Sequence, residues 1–211
     1  MDPRPLREPR TSTDNTRMRP ALFSCLLFSL ALGFPLAAQA VPVTGQATLA
    51  HGTARGAVVY LEGGTQAAPL SRAVVDQRDK TFQPHVSVVT RGTMVRFPND
   101  DSVFHNVFAF FQAKKFDLGM YPRGASKSVT FDKPGLVILL CNVHSDMSAY
   151  IMVVDTPYYA VADAQGRFRL PDVPPGTYTL HAWHESGAVL TRPVVVTKGT
   201  NAPLMLALVR K

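Results

Sequence analysis

Cysteine is scarce in this chain: its 211 residues include only two, Cys25 and Cys141. Cys25 lies in an apolar N-terminal segment, and Cys141 lies in the second half of the chain. If the N-terminal segment is removed during export, Cys141 has no partner for an intramolecular disulfide. An unpaired cysteine in an exported protein is either buried or bound to a metal, so Cys141 is the first candidate for a functional residue.

Long apolar runs are also missing. The most apolar segment, residues 21–34, is shorter than the roughly 18 residues that a membrane-spanning helix needs. Arg17 and Arg19 precede this segment, and the small-x-small triplet Ala38-Gln39-Ala40 follows it. This arrangement predicts a secretory signal peptide over residues 1–40. We therefore expect a periplasmic protein without a stable membrane anchor.

Several function classes lack their sequence signals. There is no phosphate-binding glycine loop, no nucleophile paired with a base and no second histidine-rich site, so an enzyme is not expected. The formal net charge is +7, but the basic residues form no stripe interleaved with aromatic residues. Nucleic acid is therefore not an expected ligand, and the basic surface favours an acidic partner.

A sustained helical period is absent as well. From Val43 onward, short β-type runs alternate with turns rich in Gly, Pro and Asp, which predicts an all-β fold. The predicted strands cover residues 46–50, 57–61, 86–90, 93–97, 127–131, 136–140, 150–154, 167–170, 177–183, 194–197 and 204–209.

One short segment of the chain carries three metal donors. Cys141 directly follows the apolar run at residues 136–140, and His144 and Met147 come three and six residues later. A buried strand of this kind delivers its last side chain to the rim of a β-sandwich. One loop can then fold all three donors around a single point, with His105 supplied by another strand end.

The donor types favour copper over zinc. Thiolate and thioether prefer Cu(I), imidazole suits Cu(II), and two histidines and one cysteine with a weak axial methionine form electron-transfer copper centres. A structural zinc site would offer more cysteine or histidine and no methionine. Taken one at a time, Cys141 could be a core residue, His144 a surface residue and Met147 a gap-filler. Their joint spacing favours a copper site.

Residues 82–154 resemble the cupredoxins, small blue-copper proteins of the plastocyanin and amicyanin type and of the methylamine-utilization-protein-like type. The resemblance is carried by VRFPNDDSVFHN and VTFDKPGLVILLCNVHSDM. It implies a Greek-key β-sandwich with one type 1 copper, held by His105, Cys141 and His144 with Met147 as the long axial ligand. It also implies that Asn106 ties the two ligand loops together through hydrogen bonds. Ser145 replaces a proline that many cupredoxins carry, and the block is short for eight strands.

The flanking segments resemble a second family. DAQGRFRLPDVPPGTYTLHAW is similar to the later half of carboxypeptidase-regulatory-like (transthyretin-like) β-sandwiches, and VTGQATLAHGTARGAVVYLEGG to their early half. We therefore predict one discontinuous sandwich over residues 41–70 and 157–211, with the cupredoxin domain inserted at residues 71–156.

These patterns together predict a monomeric periplasmic one-electron carrier. Its partner would be a c-type cytochrome or a periplasmic dehydrogenase. The alternatives are a copper-binding or delivery protein without an electron-transfer role, and a surface module that binds protein or carbohydrate. His85, His181 and His184 are expected to serve packing or to lie at the surface. The aromatic residues near His105 are expected in the core or in an apolar rim: Phe104, Phe108, Phe110 and Phe111.

Overall fold

The all-β prediction is confirmed by the structure, a computed structural model that describes residues 39–110 and 113–210. These residues form strands and loops and contain no helix. In chain order the strands are β1 (Val41–Thr48), β2 (Val58–Glu62), β3 (Ala73–Val74), β4 (Asp76–Arg78), β5 (Thr81–Gln83), β6 (Val86–Thr90), β7 (Thr93–Pro98), β8 (His105–Ala109), β9 (Phe116–Tyr121), β10 (Ser126–Phe131), β11 (Gly135–Leu140), β12 (Ser148–Val154), β13 (Tyr159–Val161), β14 (Arg167–Val173), β15 (Gly176–Trp183), β16 (Ala188–Val196), β17 (Leu204–Ala207) and β18 (Val209–Arg210).

The middle of the chain forms two sheets around one core. A three-stranded sheet has the order β10-β7-β3, and a five-stranded sheet has the order β6-β12-β11-β8-β9. On β7, Val95 and Phe97 point inward while Met94 and Arg96 are exposed, as their alternation predicts. Burying each large apolar side chain stabilises the fold by about 1.5–3 kcal/mol. The large core side chains include Phe82, Phe97, Phe131, Leu139 and Ile151.

The two ends of the chain share a second pair of sheets. One has the order β14-β1-β17, and the other has the order β13-β2-β15-β16-β18. The early strand β1 pairs antiparallel with the late strand β14, and β2 pairs antiparallel with β15. Their core contains Val43, Leu61, Phe168, Leu170 and Leu180. The domain boundaries predicted at residues 70–71 and 156–157 stay predictions.

Strand β12 is buried on both faces. Ala149, Ile151 and Val153 join the middle core, whereas Met152 and Val154 join a third cluster that also contains Val58 of β2. Trp183 and Tyr60 pack against this third cluster, which we call the junction cluster. A strand covered on both faces needs a continuous apolar sequence rather than alternation. This explains the run from Ile151 to Val154.

Several strand predictions need correction. Residues 49–50, predicted as strand, lie beyond the end of β1, and the strand predicted at 194–197 is only the end of β16. Strands β3, β4, β5, β8, β9 and β13 were not predicted, because most are too short to show a period and β9 is interrupted by Gly119.

The N-terminal part of the chain falls mostly outside the described residues. Residues 1–38 of the predicted signal peptide lie there, so its cleavage after Ala40 stays a prediction. Where the structure describes the chain, it has no helix long and apolar enough to cross a membrane.

Candidate metal centre

The loop between β11 and β12 carries Cys141, His144 and Met147. Cys141 follows the last residue of β11 and is buried, as is Met147 at the other end of the loop. The backbone N–H of Met147 donates to the carbonyl of His144 at 3.0 Å, which closes a tight turn. The loop therefore turns back on itself, as the spacing of the three donors predicts.

His105 meets this loop from the neighbouring strand. It is the first residue of β8, which pairs with β11 through Phe108 and Leu140, and its side chain is fully buried. Nδ1 of His105 lies 3.8 Å from Sγ of Cys141 and 3.2 Å from Nδ1 of His144. His105 is thus brought to the loop by sheet pairing across 36 residues of sequence.

The three donor atoms fit a single metal ion. One ligand atom each from His105, Cys141 and His144 lies within 4.8 Å of the others. Metal bonds to imidazole and thiolate are about 2.0–2.3 Å long, so donors around one ion lie up to roughly 4.6 Å apart. The distances from Nδ1 of His105, 3.8 Å to the sulfur and 3.2 Å to the other imidazole, fall within this limit. Among the described residues no other group of three His, Cys, Asp or Glu side chains converges in this way. These three residues could therefore hold a metal ion.

Met147 lies close to this group in the fold. It belongs to the same hydrophobic cluster as Cys141 and is 1% exposed. A buried thioether next to the ligand loop suits both an axial ligand and a core residue. Its ligation stays a prediction.

Asn106 links the two segments that carry the donors. Its Oδ1 accepts a hydrogen bond from the backbone N–H of Asn142 at 2.7 Å. Its Nδ2 donates to Oδ1 of Asp117 at 3.5 Å. The first bond holds the residue after His105 against the residue after Cys141, which is the contact that the cupredoxin resemblance implies.

Asp101 is a neighbour of the site that the sequence analysis missed. Its Oδ2 lies 3.0 Å from Nε2 of His105, and the side chain is 9% exposed. Hydrogen bonds from the backbone N–H of Lys80 and then from His105 hold the pKa of the Asp101 carboxyl well below its ordinary value, although burial acts in the opposite direction. The only sequence signal was an aspartate four residues before the histidine.

Exposed apolar side chains flank the donors in sequence, beside exposed polar residues of the ligand loop. Phe104 and Val143, which precede His105 and His144 in sequence, are 53% and 44% exposed, and Phe110 is also exposed. Phe108 is buried in β8, while Phe111 lies outside the described residues. His144 is only half-buried. Part of the aromatic group is therefore core and part is rim.

The remaining histidines have other partners. His85 contacts Glu185 and the carbonyl of Ser148. His181 stacks on Tyr60 and contacts Glu62, and His184 is bonded to Ser186 and to the carbonyl of Arg55. None of the three belongs to the group of converging donors.

A family model described as polysaccharide lyase family 4, domain II, matches residues 134–204. This match covers about a third of the chain and crosses the predicted boundary at 156–157. No curated protein matches the chain.

Cupredoxins are among the solved structures that resemble this chain. A purple cupredoxin from Nitrosopumilus maritimus is 22% identical with a TM-score of 0.36, over 38% of this chain and 98% of that one. A reduced amicyanin variant is 20% identical with a TM-score of 0.36, over 45% of this chain and 97% of that one. A copper-containing nitrite reductase, NirK, from Thermus scotoductus is 23% identical with a TM-score of 0.39, over 46% of this chain and 25% of that one.

These similarities involve less than half of the chain, and at such identities and TM-scores they assign no activity to it. The carboxypeptidase-regulatory-like resemblance of the flanking segments stays a prediction.

Proposed function

We propose that this chain is a periplasmic electron carrier that holds one type 1 copper ion with His105, Cys141, His144 and Met147. The observation that carries the proposal is the convergence of a cysteine sulfur and two imidazole nitrogens within 4.8 Å. Copper, when bound, supplies a one-electron couple between Cu(II) and Cu(I). The proposal includes export by the predicted signal peptide and action as a monomer without enzymatic activity.

The chain's own residues prepare the site for electron transfer. His105 and Cys141 are buried, and Asn106 ties β8 to the loop, so the donors are held by the fold before a metal arrives. Donors fixed in this way move little when the charge of the ion changes, which keeps the cost of reorganisation low. Four protein donors would also leave no open position for a substrate, which is why we propose a carrier rather than an enzyme.

The half-buried His144 provides the route to a partner. His144 is partly exposed and follows exposed Val143 in sequence, whereas His105, which follows exposed Phe104, is closed off from solvent. A protein such as a c-type cytochrome or a periplasmic dehydrogenase could exclude water over this apolar rim and approach the ring edge. The positive net charge would favour an acidic partner.

The test is the visible absorption spectrum of the exported protein after addition of Cu(II). We expect an intense thiolate-to-copper band that a mild reductant bleaches. Cys141→Ser should abolish the band, and His181→Gln should keep it, because His181 contacts Glu62 and lies outside the donor group. A colourless wild-type protein would overturn the proposal.

Retention of copper against a chelator distinguishes an electron carrier from a copper-delivery protein. An electron carrier should keep its ion against a strong chelator while it is oxidised and reduced repeatedly. Rapid loss of copper to the chelator, with the absorption band otherwise present, would support the copper-delivery alternative instead.

A further inference from the structure

We propose that Asp101 is a positioning residue for the metal centre: its carboxylate orients His105 toward the other donors and favours the more highly charged state of the bound ion. This inference rests on the proposed function. Among the described residues, His105 is the only proposed metal ligand that forms a hydrogen bond with Asp101. The effect of Asp101 on the metal therefore passes through the ring of His105.

Both ring nitrogen atoms of His105 have polar partners. Nε2 faces Oδ2 of Asp101 at 3.0 Å, and Nδ1 faces Cys141 and His144. An ionised carboxylate accepts hydrogen bonds and cannot donate, so Nε2 must carry the proton. Nδ1 is then left with the lone pair that a metal requires. Asp101 thereby selects the tautomer in which His105 can act as a ligand.

The carboxylate of Asp101 is itself held in place. The backbone N–H of Lys80 donates to Oδ2 at 2.7 Å, and the backbone N–H of Ser102 donates to Oδ1 at 2.6 Å. The backbone N–H of Asp101 donates in turn to Oδ1 of the buried Asn99 at 3.0 Å. Lys80 reaches this position from the turn between β4 and β5, where Asp79 and Lys80 have φ values of 51° and 55°. The small β4–β5 hairpin therefore serves to support Asp101.

The negative charge of Asp101 is not cancelled by a neighbouring cation. Within the described residues no Lys or Arg side chain forms an ion pair with it, in contrast to Asp100, which pairs with Arg78 at the surface. A buried, uncompensated charge acts more strongly than an exposed one, because water screens it less. Cu(II) carries one more positive charge than Cu(I), so Asp101 stabilises the oxidised ion more than the reduced one.

Asp101→Asn tests this inference because it removes the charge and keeps the shape. Loss of a partner of this kind lowers metal affinity by about 10–100-fold, and we expect a loss in that range for Cu(II) and a smaller one for Cu(I). Each tenfold fall in the Cu(II) affinity relative to the Cu(I) affinity raises the reduction potential by about 59 mV. The measurements are competition with chelators specific for each oxidation state, and a spectroelectrochemical titration.

Two variants control the experiment. Asp100→Asn removes the adjacent, exposed charge and should leave both affinities and the potential unchanged. Asp101→Glu keeps the charge and should restore most of the Cu(II) affinity lost in Asp101→Asn. Urea unfolding of the metal-free proteins identifies any variant that fails to fold. If Asp101→Asn does not fold, the Cu(II) affinity, the Cu(I) affinity and the reduction potential are compared between Asp101→Glu and wild type instead. Equal losses for Cu(II) and Cu(I), or equal effects at positions 100 and 101, would overturn the proposal.

Redox-silent Zn(II) separates this inference from the proposed function. We expect Asp101→Asn to lower Zn(II) affinity by about 10–100-fold while Asp100→Asn has no effect. If the wild-type protein shows no thiolate-to-copper band but this Zn(II) difference is present, the electron-carrier proposal fails and the positioning role stands. If Zn(II) binds equally to all variants, the positioning role is wrong whatever the copper spectrum shows.

Discussion

At the scale of single residues, the candidate ligands occupy different environments. His105, Cys141 and Met147 are buried, whereas His144 is half-buried. Three donors are therefore shielded from exchange with solvent, and one faces outward. This difference in burial suits a centre that must keep its ion and still pass an electron. Mutating one candidate ligand at a time should separate the effects of the ligands on copper retention and on reduction potential.

Met147→Leu should retain copper and raise the reduction potential. The thioether is the weakest of the four proposed donors, and an apolar side chain in its place lowers the polarity around the ion, which disfavours the more highly charged Cu(II) more than Cu(I). We expect a shift of at least about 59 mV, which corresponds to a tenfold change in the affinity ratio. Met152→Leu is the matched control, because Met152 is buried in the junction cluster. Complete loss of copper from Met147→Leu would show instead that Met147 is a main ligand.

Tyr121→Phe should change the pH dependence of stability in the metal-free protein. Tyr121 is 3% exposed, and burial raises the pKa of its hydroxyl to about 12, although a hydrogen bond from Gln77 opposes the shift. In the unfolded chain the hydroxyl ionises near pH 10. The stabilisation from Tyr121 is therefore complete below pH 10 and is lost as the pH rises from 10 to about 12.

The variant should be less stable than wild type by about 1 kcal/mol at pH 8, because the hydroxyl also donates to the carbonyl of Phe97. That difference should shrink above pH 10. Urea unfolding at pH 8 and pH 11 measures it, and a difference that stays constant would contradict the assignment.

At the scale of elements, β1 is the central strand of its sheet, and Gly45 lies in close contact with both neighbouring strands. Gly45 pairs with Phe168 on β14 and with Leu204 on β17. A Cβ atom at this position would lie 2.2 Å from the Leu204 carbonyl oxygen and 2.5 Å from the Phe168 ring. The two neighbouring strands can approach this closely only because residue 45 has no side chain.

Gly45→Ala should destabilise the protein by about 1–3 kcal/mol, the usual cost of overpacking a core. Gly199→Ala is the control, since its Cβ would meet nothing within 4 Å and only its left-handed backbone, with φ of 86°, opposes the change. Chemical unfolding compares the two. The position of the thiolate-to-copper band should be unchanged in both variants, and a shifted band in Gly45→Ala would show that β1 influences the site.

At the scale of the whole molecule, the junction cluster joins the two cores. It brings together Met152 of β12, Val58 of β2 and Trp183 of β15, and the described residues belong to one compact unit. The strand that follows the ligand loop is thus also the strand that contacts the second pair of sheets. For this reason we expect each of the two cores to stabilise the other against unfolding.

Unfolding in urea should therefore be a single transition. Trp183 is the only tryptophan in the chain, so its fluorescence reports on the junction cluster, while the thiolate-to-copper band reports on the metal centre. The two signals should change at the same urea concentration. Met152→Ala should move both midpoints downward, at a cost of about 2–5 kcal/mol. Separate transitions in the wild-type protein would show that the two cores unfold independently.

Local patterns in the sequence are sufficient to predict the fold class and the kinds of donor at the site. Short alternating runs such as residues 93–97 predict strands, and the spacing of Cys141, His144 and Met147 after an apolar run predicts a donor loop. These features are local, because period and spacing are properties of neighbouring residues. For the same reason they do not show which strand brings His105 to this loop.

Which distant residues meet depends on how the strands pair and pack. Pairing of β8 with β11 places His105 against Cys141, and burial of β12 on both faces reflects the second set of sheets. The clearest case is the pair Asp100 and Asp101, which are chemically identical in the sequence. One is exposed beside Arg78, and the other is buried against His105. Burial and charge compensation depend on what the fold brings from elsewhere, and neighbouring residues in the sequence do not specify it.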